Sequence, residues 1–341
     1  MKRTRNRTFI QRTLAAALAV SVAALALSGC APMNFGQGDP KSSDTGKIKV
    51  VASLSNWGNI AELVGGEYVS VTSIINNPLQ DPHSYEATVR DELAVKKADL
   101  VLANGQNYDV FMDVLGKSTG KPVQHMVDHV SRVISLTEGV GFATLDNPHV
   151  WYSTTYLIDA TNWLTKKLCA LDHSHRGYFV SHGAKLVAKL ELLRSQESQL
   201  AQGWKASAIE TESIADFKMF DLGIRNVTPI LFWNSVLHGN EVSPKQLNDA
   251  KQLIRYHKAN LLILNAQEDS VEGKALAAEA RASQRKAKTT GAPSTQIVSL
   301  SELLPPGLSI DEWMTQNLGK IERALRASRA SASGSASEAG N

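Results

Sequence analysis

Residues 48–75 read IKVVASLSNWGNIAELVGGEYVSVTSII, and the class of fold can be inferred from the order of the patterns within them. The first seven residues are apolar and valine-rich, which is typical of a buried strand. Ile60, Ala61 and Val64 follow at helical spacing, and residues 68–75 are again rich in β-branched side chains. A strand, a helix and a second strand in this order predict two parallel strands joined by a crossover helix.

The same alternation of strand and helix continues along the chain. A helical pattern at residues 89–98 leads into another apolar run at residues 98–103. After Pro229, helical patterns alternate with strand patterns at residues 244–257, 261–264, 271–283, 296–300 and 310–325. This rhythm predicts a parallel sheet with helices on both faces in each half of the chain. Ligands of such sheets bind beyond the carboxyl ends of the strands, so the functional residues are expected in the crevice between the halves.

The middle of the chain predicts one long helix. No proline occurs between Trp151 and Thr228, and apolar residues recur at helical intervals at Phe179, Leu186, Leu190, Leu193 and Leu200. We therefore predict a helix over residues 176–202, which would resist bending and join the halves as a rigid connection. The predicted fold class is α/β, with two lobes that are each a mostly parallel sheet flanked by helices, joined by one long rigid helix.

The positive charge of the chain is concentrated at its beginning. The formal net charge is +3, from 36 basic and 33 acidic residues. Five of the basic residues and no acid lie within the first 29 positions, so the remainder carries 31 basic and 33 acidic residues. A nucleic-acid-binding surface on the folded part is therefore not expected. The two cysteines, Cys30 and Cys169, exclude a disulfide scaffold and a site built from several thiolates.

The first 29 residues predict a secretory signal. Residues 1–12 are cationic, and residues 14–27 form an apolar run that is too short to cross a bilayer as a mature helix. The run ends in Leu-Ser-Gly-Cys at residues 27–30, which resembles the lipobox of bacterial lipoproteins, where the cysteine receives a lipid. Cys30 is therefore the predicted lipid-attachment residue. The alternative is an ordinary secretory signal followed by an incidental cysteine.

Composition divides the rest of the chain. Residues 31–47 are rich in Gly, Pro, Ser and polar side chains, and the last fifteen residues are Ser, Ala and Gly-rich. The predicted segments are a lipoprotein signal peptide at 1–29, a flexible tether at 30–47, an N-terminal α/β lobe at 48–175, a linking helix at 176–202, a C-terminal α/β lobe at 203–326 and a disordered tail at 327–341.

Two Pro-His turns are the strongest candidates for metal ligands. His83 follows Asp81-Pro82 after the strand that ends near residue 75, and His149 follows Asn147-Pro148. Proline restricts the backbone on both sides of its nitrogen, so each imidazole would be held on a stiff turn, as a metal ligand should be. A single Pro-His pair in a loop often has no function, but the arrangement occurs twice in one lobe.

Other histidines and two acidic positions leave alternatives open. His125 and His129 have the spacing of ligands on one helix face, although the preceding Pro122-Val123 favours a strand start and surface positions. His173 and His175 are expected in a solvated turn before a helix. Glu212 and Glu302 each follow a candidate strand, and the same position suits a carboxylate that only caps a helix. Glu210 is the alternative to Glu212.

Several motifs in order resemble one family, the zinc/manganese receptors of ABC transporters, which are solute-binding lipoproteins. The resemblance extends over nearly all of the folded part. It is carried by DPHSYE (81–86), ADLVLANG (98–105), NPHVW (147–151), TE (211–212), NAQ (265–267) and ELLP (302–305).

The resemblance implies a four-ligand site made of His83 and His149 from the first lobe and Glu212 and Glu302 from the second. Many members have a histidine at the position of Glu212 and an aspartate near Glu302. The implied cargo is one divalent ion, Zn²⁺ or Mn²⁺, and Fe²⁺ also suits imidazole and carboxylate ligands. Since glutamate is a harder ligand than histidine, we hypothesise a preference for Mn²⁺ in the cell, with Zn²⁺ also binding well in vitro.

The implied partners are the permease subunits of an ABC transporter with a cytoplasmic ATPase. The expected protein is a monomer on the extracytoplasmic face of a bacterial cell membrane, anchored by lipid on Cys30, with no nucleic-acid partner. It is not expected to be an enzyme. Two other classes stay open: a tethered metallohydrolase, for which no HExxH motif or nucleophile elbow is present, and an adhesin-like lipoprotein that needs no metal.

Overall fold

The computed structural model describes residues 46–78, 80, 82–129 and 147–333. The predicted signal peptide, Cys30 and most of the predicted tether lie outside these residues, as does the side chain of His83. None of the helices in the described ranges combines the length and apolar character that a membrane span needs.

The first lobe is a four-stranded parallel sheet with the strand order β2-β1-β3-β4. Its elements are β1 (Ile48–Leu54), α1 (Ser55–Gly65), β2 (Val69–Ile75), α2 (Val89–Lys97), β3 (Leu100–Ala103), α3 (Phe111–Thr119) and β4 (Val123–His125). The central strand β1 is buried at every position except Lys49. It is therefore apolar on both faces, as expected of a strand covered by helices on each side.

The helices that follow the first sheet are α4 (Thr154–Leu171) and α5 (Arg176–Gly203). The helix α5 is the long helix that the apolar spacing predicts, and its buried side chains include Phe179, Leu186 and Leu190. Because α5 packs against both α4 and the last helix of the chain, it is held along its length by tertiary contacts.

A glycine sets how closely α4 and α5 approach. A Cβ at Gly183 would lie 2.2 Å from Thr165 Oγ1, whereas a Cβ at Gly177 of the same helix would meet nothing within 4 Å. The Thr165 hydroxyl donates a hydrogen bond to the Thr161 carbonyl at 2.8 Å, so it cannot turn away without losing that bond.

Gly183→Ala is therefore expected to lower the free energy of unfolding by about 1–3 kcal/mol, the usual cost of overpacking. The matched variant Gly177→Ala should be neutral or raise it by up to about 1 kcal/mol, since alanine is the better helix former. Denaturant titration of both variants measures the difference, and equal stabilities would contradict the close approach.

The second lobe is another four-stranded parallel sheet, with the order β6-β5-β7-β8. Its elements are β5 (Ser207–Glu210), α6 (Asp216–Asp221), β6 (Arg225–Asn226), α7 (Ile230–Leu237), α8 (Pro244–Arg255), β7 (Leu261–Asn265), α9 (Val271–Thr290), β8 (Gln296–Leu300) and α10 (Ile310–Ser333). Within each lobe the order of strands is second, first, third, fourth. The predicted two-lobed α/β fold class is confirmed.

Two helices extend beyond their predicted ends. The helix α9 continues to Thr290, and α10 continues to Ser333, so residues 327–333 are helical where the sequence predicts a disordered tail. Alanine in this segment favours a helix, and Ser328 is buried, so both propensity and packing extend α10. Residues 334–341 lie outside the described part.

A buried ion pair connects the linking helix to both lobes. Glu197 of α5 pairs with Lys218 of α6, and the Lys218 side chain has no solvent exposure. Thr154, the first residue of α4, donates to Glu197 Oε1 at 2.8 Å and accepts from Lys218 Nζ at 2.9 Å. One polar network therefore joins the first lobe, the linking helix and the second lobe.

Candidate metal centre

Three of the predicted ligands meet at the carboxyl ends of the strands. Glu212 comes two residues after β5, and Glu302 comes two residues after β8. His149 directly precedes a 3₁₀ turn at Val150–Tyr152 that leads into α4. The position beyond the strand ends is the one that the general rule for parallel α/β sheets predicts.

The three side chains form a compact group with donor atoms of the kind that metals bind. One ligand atom from each of His149, Glu212 and Glu302 can be chosen so that all lie within 4.8 Å of one another. His149 and Glu302 are buried, and His149 Nε2 lies 3.2 Å from Glu302 Oε1. One imidazole nitrogen and two carboxylate oxygens at this spacing can surround a single divalent cation.

The tautomer of His149 is set by its neighbour in the sequence. His149 Nδ1 lies 2.8 Å from Asn147 Oδ1, and the His149 backbone N–H donates to the same oxygen at 2.9 Å. An amide oxygen only accepts, so Nδ1 carries the proton and Nε2 presents its lone pair towards Glu302. In the neutral ring Nε2 therefore faces Glu302 Oε1 at 3.2 Å, a gap that a bound cation or a proton shared by the two atoms would bridge.

Hydrogen bonds hold both the side chain and the backbone of Glu302. The Tyr108 hydroxyl donates to Glu302 Oε1, and Trp151 Nε1 donates to the Glu302 carbonyl oxygen at 3.0 Å. The Glu302 backbone N–H donates to Gln267 Oε1 at 2.7 Å. This carboxylate is therefore positioned before any ion arrives, since three separate hydrogen bonds fix its residue.

The two carboxylates share one amide donor. Asn265 Nδ2 donates to Glu212 Oε2 at 2.6 Å and to Glu302 Oε2 at 3.1 Å. Burial and the adjacent Glu302 charge raise the pKa of Glu212 well above its ordinary value. Burial, with the charge of Glu302, likewise raises the pKa of Tyr108, so this phenol stays protonated and remains a donor. A divalent cation between the carboxylates would relieve their repulsion.

The loop after β8 belongs to the second lobe in sequence but is fastened to the first. The Leu304 backbone N–H donates to Asn56 Oδ1 at 2.8 Å, and the Ile310 backbone N–H donates to Asn59 Oδ1 at 2.8 Å. Both asparagines lie on α1. Residues 301–310, which carry Glu302, are thus bound to the lobe that carries His149.

Two other predicted residues have different positions. Glu210, the alternative to Glu212, is buried at the end of β5 and is not in the group of three. Burial and the Asp216 charge raise the pKa of Glu210 well above its ordinary value. His83 lies in a 3₁₀ turn at Pro82–Ser84, but its side chain is outside the described part, so its inclusion in the site stays a prediction.

A cavity of about 540 Å³ opens onto the three ligands. Pro78 and Gln80, which precede the His83 turn, line it together with Glu268 and the exposed His238. The turn that carries His83 therefore follows two residues of the cavity lining in the sequence.

The other histidines considered in the sequence lie apart from this group. His125 ends β4 and contacts Asp113 at 2.8 Å, and His129 stacks on Trp163. The strand ends between them, so they do not share a helix face. His175 immediately precedes α5 and contacts Asp172, as expected of a turn before a helix.

No role was assigned from the sequence to the polar groups that hold the ligands, although Asn147, Asn265 and Gln267 lie in the quoted motifs. Tyr108, Asn265, Gln267 and Asn147 contact Glu302, Glu212 or His149, yet as isolated residues they have no distinctive chemistry. The available signal was position, because Asn265 is the last residue of β7 and Gln267 follows it. A search for polar residues at or just beyond strand ends would have included Asn265 and Gln267, but not Tyr108 or Asn147.

Comparison with known proteins identifies one family. The model of the family described as "Zinc-uptake complex component A periplasmic" (ZnuA) matches residues 50–324. The iron ABC transporter substrate-binding lipoprotein MtsA of Streptococcus pyogenes serotype M1 is 25% identical over 299 residues, which cover 84% of this chain and 91% of MtsA. The manganese-binding lipoprotein MntA of Bacillus subtilis (strain 168) is 29% identical over 179 residues, which cover 51% of this chain and 55% of MntA.

Solved structures share the fold. A crystal structure of ZnuA superposes with a TM-score of 0.64 at 16% identity, covering 83% of this chain and 99% of that one. A Mn-bound periplasmic metal-binding protein from candidatus liberibacter asiaticus gives a TM-score of 0.62 at 21% identity, covering 81% and 98% of the two chains.

Proposed function

This chain belongs to the family of the periplasmic zinc-uptake complex component A, and we propose that it captures one divalent transition-metal ion between its lobes for import by an ABC transporter. The observation that carries the proposal is the group formed by His149, Glu212 and Glu302, whose ligand atoms lie within 4.8 Å of one another. MtsA, MntA and the ZnuA family are named for iron, manganese and zinc respectively, so the cargo class is a divalent metal.

His83, His149, Glu212 and Glu302 are the proposed ligands. Two neutral imidazoles and two carboxylates would neutralise a dication without thiolates. Four anchored ligands leave no position for a substrate water, so the site suits capture and release and not hydrolysis. The proposed cargo is Zn²⁺ or Mn²⁺, with Fe²⁺ also compatible, and the carboxylate at position 212 favours Mn²⁺ relative to sites with a third histidine.

The proposed setting is the extracytoplasmic face of a bacterial cell membrane. Lipid on Cys30 would anchor the chain, residues 30–47 would act as the tether, and the lobes would act as a monomer. The loaded lobes would deliver the ion to permease subunits whose ATPase lies in the cytoplasm. Since α5 and the buried Glu197–Lys218 pair connect the lobes, we expect the difference between loaded and empty forms to be small.

Metal content is the direct test. The protein purified from Gly46 onward should retain close to one divalent ion, measured by mass spectrometry of the metal. It should bind Mn²⁺ and Zn²⁺ in competition with a chelator of known affinity. A protein that binds neither metal under these conditions is not a metal receptor, and a strong preference for Zn²⁺ at controlled free concentrations would remove the expected preference for Mn²⁺.

Acidification is expected to weaken metal binding. Because burial and the Glu302 charge raise the pKa of Glu212, this carboxylate binds a proton more tightly than an exposed glutamate does. Below the raised pKa the proton competes with the metal, and above it the competition ends. The apparent dissociation constant should therefore increase from about pH 7.5 to about pH 5, with protons released on binding at the lower value. Equal constants at both pH values would contradict this expectation.

A further inference from the structure

One buried amide contacts both lobes at the metal centre. Asn147 of the first lobe accepts two hydrogen bonds from His149 through its Oδ1. Its Nδ2 crosses to the second lobe, where it donates to the Ser213 carbonyl at 2.7 Å and lies 3.2 Å from Asp216 Oδ2. Ser213 directly follows Glu212, so a single side chain contacts one proposed ligand and the neighbour of another.

The orientation of this amide is determined by its partners. Its nitrogen faces a carbonyl oxygen and a carboxylate oxygen, which only accept, while its oxygen faces a backbone N–H. Reversing the amide would break all of these contacts, so the assignment of oxygen and nitrogen is unambiguous. With Oδ1 fixed as an acceptor, His149 Nδ1 must carry the proton.

Hydrogen bonds within the second lobe hold Asp216, one of the two partners of the Asn147 amide nitrogen. Asn226 Nδ2 donates to Asp216 Oδ1 at 2.7 Å, and Trp233 Nε1 donates to Asp216 Oδ2 at 3.2 Å. Both Asn147 and Asp216 are buried. The position of the amide is therefore set by the second lobe as much as by its own backbone.

We propose that Asn147 is a positioning residue that fixes the tautomer and orientation of His149 and, at the same time, the position of Glu212 relative to it. This inference rests on the proposed function, because it concerns how the same ligands are prepared for the ion. The Asn147 amide therefore aligns ligands that come from different lobes. Loss of a partner that orients a ligand typically lowers metal affinity by about 10- to 100-fold.

Two substitutions distinguish the contact of Asn147 with His149 from its contact with the second lobe. Asn147→Asp keeps an acceptor for His149 Nδ1 but turns an oxygen towards the Ser213 carbonyl and Asp216, so it should break only the contact between lobes. Asn147→Ala removes both contacts. The matched control is Asn104→Ala, because Asn104 is equally buried and supports the same turn by donating to the Pro148 carbonyl at 3.0 Å, but its side-chain hydrogen bonds go to Pro148, Gly105 and Trp57 and not to the His149 ring.

The tautomer of His149 is the measured quantity, because a general loss of stability would not change it. In full-length protein labelled with ¹⁵N-histidine, ring nitrogen shifts should show the Nδ1–H form of His149 in the metal-free wild type and in Asn147→Asp. They should show a mixture of tautomers in Asn147→Ala and no change in Asn104→Ala. The signal is assigned by its absence in His149→Ala.

The affinity for Zn²⁺ and Mn²⁺, measured by chelator competition, should fall by about 10- to 100-fold in both Asn147 variants. The inference is wrong if wild-type His149 is in the Nε2–H form, a result that needs no variant to fold. It is also wrong if both variants bind as tightly as the wild type, or if Asn104→Ala changes the tautomer equally. Should the wild type bind no metal, the proposed function fails while the tautomer still tests the positioning.

Discussion

His149→Ala is expected to abolish measurable metal binding at micromolar protein. His149 Nε2 is the nitrogen ligand atom in the group with Glu212 and Glu302, and removing it leaves two carboxylates facing each other in a buried site. Loss of a direct ligand should cost more than the roughly 10- to 100-fold that follows from loss of a supporting hydrogen bond. Chelator competition with Zn²⁺ and with Mn²⁺ measures the effect.

The matched control for this variant is His238→Ala. His238 lines the same cavity but is exposed and is not in the group of three, so its removal should change affinity little. Thermal unfolding of both metal-free variants shows whether His149→Ala is folded. Wild-type affinity in a folded His149→Ala protein would remove this residue from the proposed ligands, and an equal loss in His238→Ala would place the binding site elsewhere in the cavity.

Lys218→Met is expected to lower the free energy of unfolding by about 3–5 kcal/mol, because it leaves the Glu197 carboxylate buried and unpaired. Lys245→Met is the matched control, since Lys245 pairs with Asp249 on the surface of α8 and its side chain is 82% exposed. An exposed pair of this kind contributes about 0–1 kcal/mol. Urea unfolding of the two variants compares the buried and exposed pairs directly.

The double variant Lys218→Met with Glu197→Leu should regain much of this loss, since apolar replacement of a whole buried pair is often neutral. The pH dependence provides a second check. Burial raises the pKa of the neighbouring Asp221 to about 6, the Lys218 charge opposes this rise, and the Glu197 charge adds to it.

Because the pKa of Asp221 is raised in the folded state, its ionisation lowers the stability as the pH rises from its ordinary value of 3.8 to about 6. Without Lys218 the pKa of Asp221 should rise further, so Lys218→Met should be less destabilising at acidic pH than at neutral pH. A loss within the range of the surface control, or one that grows on acidification, would contradict this account of the pair.

The fold class was predictable because it depends on patterns that extend over many residues. The apolar runs at residues 48–54 and 296–300 correspond to β1 and β8, and the spacing of Phe179 and Leu186 predicts α5. Each run is covered by helices in the structure, so local apolar character and tertiary burial agree. The ends of α9 and α10 were not predictable, because the local pattern does not specify where packing continues a helix; Ala287 and Ser328 are buried in the added turns.

The candidate site could be predicted only where a backbone restriction or a strand end coincides with ligand chemistry. The Pro-His turn at residues 148–149 satisfies the first condition and the carboxylate after β8 satisfies the second, and His149 Nε2 lies 3.2 Å from Glu302 Oε1. The choice between Glu210 and Glu212 depends on how the chain turns after β5, which the spacing of side chains along a strand does not specify. Tyr108 and Asn147 act through contacts that are distant in sequence, such as Tyr108 with Glu302.

The attachment of residues 301–310 to α1 has a consequence for recombining lobes from different relatives. Cutting at the linking helix would transfer this loop with the second lobe, and its backbone N–H groups would then need matching acceptors where Asn56 and Asn59 stand here. A hybrid that places apolar side chains at those α1 positions would present Glu302 from a loop that has lost its support. Whether such hybrids work therefore depends on the contact between the loop after β8 and α1. Compatible α1 sequences should be chosen first.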